Sequence, residues 1–188
     1  MAEMGVARKS SDGYDITFER HIEHPLADVW AMLTEPDKIG TWFCARVELE
    51  GRVGGAMIEH HDHVGMDVFG EVTRWEPPHV FEHSWWFGDA TESPRDSVLW
   101  QLFPEESGTR LALTDRRQSL DGVEGGLAGR HICLDVLSAV LDGADPREHA
   151  APEGAFRDGQ FVQSRAGRGL WADSEKLTAE YGRYFARL

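Results

Sequence analysis

The stretch GLAGRHICLDVLSAVLDG, residues 126–143, decides what the rest of the chain must do. Leu127, His131, Leu134, Leu137 (or Ser138) and Leu141 recur every three to four residues, the repeat of one helix face. The pattern starts near Gly122, and Gly143 is placed to end it, so a helix of about five turns is expected over Gly122–Asp142. A helix with one apolar stripe must lie against another apolar surface. The preceding residues offer that surface as strands. In YDITFERHIEH, Ile16, Phe18 and Ile22 point one way and Thr17, Glu19 and His21 the other. PLADVWAMLTEP is helical, with Pro25 suited to its first turn, and PDKIGTWF reads as a second short helix after Pro36. Strand patterns then return in ARVELE, AMIEHHD, DVFGEVTRW, HVFEHSWWF, SVLWQLF and TRLALTD. This order predicts an α+β architecture. A curved sheet wrapped around one long helix leaves a space that suits a small molecule.

The whole chain has 188 residues and 41% hydrophobic content, enough for a sizeable core. Its net charge of -14 argues against nucleic acid, whose phosphates need a basic face. From Gly143 onward seven acids balance seven bases, so the whole excess lies in residues 1–142. That shift divides the chain into three expected parts. Residues 1–13 read as a disordered lead-in without the features of a secretion signal, 14–143 as the main domain, and 144–188 as an extension. ADPREHAAPEGAFRDGQFVQSRAGRG reads mostly as loop. A terminal amphipathic helix follows, with Leu170, Trp171, Leu177, Tyr181, Tyr184 and Phe185 on one face. Such a face should dock on its own domain, with a homodimer interface as the alternative. No apolar run is long enough to insert in a membrane. Two distant cysteines, Cys44 and Cys133, make no disulfide framework and point to the cytoplasm.

Four stretches in order resemble the START-like (SRPBCC) superfamily, in its branch related to the activator of heat-shock-protein ATPase. They are HIEHPLADVWAMLTEPDKIGTWF, GEVTRWEPPHVFEHSWW, SVLWQLFPEESGTRLALTD and GLAGRHICLDVLSAVLDG, together spanning roughly Tyr14 to Gly143. Arg130 stands where relatives often carry Trp before the helix histidine. The resemblance implies a helix-grip fold, a curved antiparallel sheet gripping the long helix around a mostly apolar cavity. It also implies a range of activities: binding of a hydrophobic ligand, cyclase or hydrolase chemistry, or a chaperone partner.

Placed on that fold, Trp42, Phe81, His83, Trp85, Trp100, His131 and Leu134 are the expected ligand-binding residues. His83 shares a strand face with Phe81 and Trp85, and His131 lies on the apolar helix face, so both should point inward. The aromatics suit an aromatic or polycyclic guest. Neither histidine has a convincing acid–base partner in the sequence, so no catalytic residue and no cofactor is expected. EHHDHVGMD, Glu59 to Asp67, has the composition of a metal site. On a strand, however, alternate residues share a face, so His61 and His63 could converge while His60 and Asp62 point away, and a third ligand would have to come from Asp67 across the turn. The expectation is a solvated hairpin tip turning at Gly65, without metal. Cys44 and Cys133 have no CxxC spacing, so neither is expected to be reactive.

Overall fold

The computed structural model describes residues 4–86, 96–120, 122–157 and 160–188. Eight strands form one antiparallel sheet: β1 (Val6–Lys9), β2 (Tyr14–Ile22), β3 (Arg46–Leu49), β4 (Ala56–His61), β5 (Met66–Glu76), β6 (Val80–Trp85), β7 (Asp96–Glu105) and β8 (Gly108–Arg117). Their order is β1-β2-β8-β7-β6-β5-β4-β3. Helices α1 (Leu26–Thr34) and α2 (Pro36–Trp42) connect β2 to β3, and the long helix α3 (Glu124–Leu141) follows β8. This is the helix-grip arrangement.

Strand alternation puts one row of apolar side chains under the helix. The register aligns Phe18 with Leu113, Leu113 with Trp100, Trp100 with Phe81, and Phe81 with Trp75. Leu127, Ile132, Leu134 and Leu137 of α3 are buried with that row in one core. Pro36 occupies the first turn of α2, where its missing N–H costs nothing. The Trp42 indole, at the end of α2, donates to the Met32 carbonyl at 2.8 Å and joins α2 to α1.

Three expectations for the two ends of the chain are corrected. Residues 6–9, expected to be disordered, are the edge strand β1, paired with β2 through Val6–Thr17 and Lys9–Tyr14. The segment expected to be loop contains the hairpin β9 (Glu153–Arg157) and β10 (Gln160–Arg165). The terminal helix α4 runs over Ser174–Phe185, and a 3-10 turn at Gly169–Asp173 carries Leu170 and Trp171. Trp171, Leu177 and Tyr181 are buried, whereas Leu170 is exposed. Helix α4 packs on its own domain, against α3. The Tyr181 hydroxyl accepts the Gly5 N–H at 2.8 Å and the Tyr184 hydroxyl the Ala7 N–H at 3.1 Å, so the two ends of the chain hold each other.

Candidate functional site

A cavity of about 650 Å³ lies between the β4–β5 hairpin and the first half of α3. Val64, Met66, Val68, Trp85 and Ala128 make its apolar wall. Gly125, Gly126 and Gly129 face it from the helix. A Cβ built on Gly125 or Gly126 would meet nothing within 4 Å, so their missing side chains leave that end open. Trp171, Ser174, Glu175 and Thr178 complete the wall from the C-terminal segment. The tail is therefore part of the cavity and not an appendage to it.

Charge enters at one side. Arg117, Arg130 and Glu59 line the cavity, and the fully buried Asp115 lies behind them. Arg117 donates to Asp115 at 2.9 Å, and its guanidinium lies 4.1 Å from the centre of a Trp85 ring. Arg130 approaches Asp115 at 3.6 Å. Burial raises the pKa of Glu59, but the hydrogen bond from His61 and the charge of Arg130 outweigh it. Its carboxyl is held below the usual range. Two acids and two arginines in one cluster satisfy the rule that buried charge must be paired.

Of the expected ligand-binding residues, Trp85 lines this cavity. Trp42 borders a smaller cleft of about 230 Å³ at the end of α2 and packs edge-on against Trp100. Phe81, Trp100 and Leu134 are buried in the core behind the wall. His83 stacks on Phe81 with 5.2 Å between centroids, and its Nδ1–H donates to the Ser84 carbonyl at 3.1 Å. Burial pushes its pKa down; the charge of Glu59 acts the other way and that of Arg130 adds to the fall. His83 and His131 are both buried, but neither lines the cavity and they have different partners. His131 packs over β2, with its ring edge-on to Phe18. Its Nδ1 accepts from the Tyr181 hydroxyl at 3.1 Å, and its Nε2 lies 3.5 Å from Asp135, which also takes Arg20 at 3.0 Å. This network joins β2, α3, α4 and the N-terminal segment. Asp135, one helical turn beyond His131, is a partner that the sequence spacing offered and our reading missed. Burial raises the Asp135 pKa, but hydrogen bonding from His131 and the charge of Arg20 bring it below its ordinary value. Burial pushes the Tyr181 hydroxyl up to about 12.

The histidine hairpin is less solvated than expected. His60 points outward and pairs with Asp67 and Glu48 at 3.0 and 3.2 Å. His61 and His63 are half-buried and face the cavity. Cys44, set apart by its place in the sequence, lies beside them. One ligand atom from each of Cys44, His61 and His63 lies within 4.8 Å of the other two. The strand register explains the meeting. Arg46 pairs with His60, so the chain just before β3 runs alongside the residues just after β4. Cys133 of α3 reaches the same point, its thiol donating to Cys44 Sγ at 4.0 Å. That contact, together with burial, raises the Cys44 pKa, and burial lowers that of His63.

The sequence matches the family described as Activator of Hsp90 ATPase homolog 1-like protein over residues 23–142. The chain belongs to this family. No curated protein matches it. Among solved structures, CalU16 from Micromonospora echinospora is similar at 21% identity and a TM-score of 0.66, over 97% of this chain and 93% of that one. Protein MLL2253 from Mesorhizobium loti is similar at 26% identity and a TM-score of 0.60, over 70% of this chain and 98% of that one. DynU16, of the dynemicin biosynthetic locus, is similar at 22% identity and a TM-score of 0.62, over 73% of this chain. This chain spans 49% of DynU16. The CalU16 likeness reaches past the family match into the C-terminal segment.

Proposed function

We propose that the chain binds a small, mainly apolar ligand, aromatic or polycyclic, between its sheet and α3, and does not transform it. The observation that carries this reading is the cavity of about 650 Å³, apolar on most sides, with Arg130 and Arg117 at one edge. Its volume falls in the range usual for small-molecule sites, roughly 300–1,000 Å³, where a few polar groups orient an apolar guest. Trp85 offers a flat face for an aromatic guest, and Arg130 offers charge to an acidic or carbonyl substituent. DynU16 belongs to a biosynthetic locus, a setting in which a small organic guest is reasonable. A cyclase or hydrolase using the same cavity is the rival reading, and turnover of a bound compound would favour it. The family description also carries a co-chaperone reading, which would use an outer face and leave the cavity without a role. Two unbridged thiols 4.0 Å apart suit a reducing compartment such as the cytoplasm. No helix of the described residues is long and apolar enough to cross a membrane.

The test uses a fluorescent polycyclic probe. It should quench tryptophan emission saturably, and Trp85→Leu should weaken the quenching. Gly126→Leu, which builds a side chain into open space, should block the probe while the protein stays folded. A probe that binds Gly126→Leu as well as the wild type would place the ligand elsewhere and end this reading.

A further inference from the structure

We propose that Cys44, His61 and His63 form a zinc site in the cavity wall, with its open coordination position facing the cavity. The inference goes beyond ligand binding and does not depend on it. Zinc takes thiolate and imidazole together, and an open site of three protein ligands leaves one position for water or a guest atom. Here the three ligand atoms lie within 4.8 Å of one another. A tetrahedral zinc with bonds of about 2.0–2.3 Å needs them about 3.3–3.6 Å apart, so side-chain rotation must bring them in by an ångström or so. All three residues are half-buried and line the cavity, so a metal there is both accessible and partly screened from water.

A further contact sets this cluster apart from a chance grouping on a hairpin. The buried Glu59 carboxylate lies 3.0 Å from His61 Nε2. It accepts the Nε2–H and so leaves the lone pair on Nδ1 for a metal, the carboxylate–histidine–metal relay common in zinc proteins. Cys133 of α3, which also lines the cavity, donates its S–H to Cys44 Sγ. Zinc binds cysteine as the thiolate, and the displaced Cys44 proton leaves to solvent. Soft sulfur with two imidazoles favours zinc over magnesium or calcium, which prefer oxygen. His60, on the same strand, faces outward to Asp67 and Glu48 and takes no part.

The experiment titrates zinc into the full-length chain, stripped of metal by a chelator and kept reduced by a phosphine. One equivalent should bind. Cys44→Ser, His61→Ala and His63→Ala should each lower the affinity by at least 10-fold, and Glu59→Gln by about 10-fold through loss of the orienting contact. His60→Ala should bind as the wild type does. Cobalt in place of zinc should give a thiolate charge-transfer band that Cys44→Ser lacks, and circular dichroism should show each variant folded. Absence of stoichiometric zinc in the wild type, or equal zinc affinity in Cys44→Ser and His60→Ala, overturns the proposal. Probe quenching measured on zinc-free wild type separates the two readings: quenching without zinc binding sinks the metal alone, and zinc binding without quenching sinks the ligand pocket alone.

Discussion

Burial disfavours the protonated form of the His83 ring, which ties stability to pH. Its pKa lies below the ordinary value; Glu59 and Asp115 act to raise it and Arg130 to lower it. In the unfolded chain the same ring takes up a proton near pH 6.5. Its contribution to stability is therefore complete above that pH and is lost as the pH falls toward the folded value. Urea midpoints should decline from pH 7 to pH 5, and His83→Gln should make the decline shallower. His63, also held low by burial, keeps part of the slope. An unchanged slope in the variant would mean that His83 is not the titrating group. Tyr181 makes a second case. Tyr181→Phe removes the acceptor of the Gly5 N–H and the donor to His131, and should cost about 1–3 kcal/mol in chemical denaturation. At this scale the sequence was a partial guide. It put His83 and His131 on inward faces correctly, because strand and helix periods determine facing. It could not show that they serve different neighbourhoods, since that depends on which strand α3 crosses. Cys44 was missed for a related reason. Its partners come from the register of β3 on β4, and no local pattern encodes that pairing.

At the scale of elements, α3 was legible because its apolar repeat is long, and β2 because it alternates. The edge strand β1 was missed: only Ala7 of its four residues is buried, so its sequence, VARK, has little pattern to read. The hairpin β9–β10 was missed because glycine and proline nearby dominated the reading as loop. This hairpin also touches the candidate site, since the Gly154 N–H donates to the His63 carbonyl at 2.9 Å. The glycines of α3 carry a prediction of their own. Gly125 and Gly126 lie inside the helix with open space where a Cβ would go. Gly126→Ala should stabilise the protein by up to about 1 kcal/mol, the usual difference between these residues in a helix. The same variant should narrow the cavity and weaken probe binding, a trade of function for stability. Stabilisation without any loss of binding would show that the ligand does not use this end of the cavity.

At the scale of the whole molecule, the sequence suggests a core domain with an extension, and the charge balance after Gly143 supports that division. The folded chain does not keep its cavity within the core. Trp171, Ser174, Glu175 and Thr178 supply one wall of it, while Tyr181 links α4 to α3 and to the N-terminal segment. Composition cannot show this, because a docking tail and a free one can have the same residues. The energetics favour docking. Burying Trp171, Leu177 and Tyr181 is worth about 1.5–3 kcal/mol each as an upper range, enough to offset ordering the connection. Ending the chain at Gly143 should then lower the melting temperature by on the order of 10 °C or more, since each kcal/mol moves a domain of this size by about 2–4 °C. It should also expose the apolar side of α3, promote aggregation and abolish probe quenching by opening the cavity. Tyr181→Phe should leave the cavity wall in place, lowering stability while keeping the probe affinity. A truncated chain that melts unchanged and still quenches would mean that the tail neither holds the fold nor walls the site.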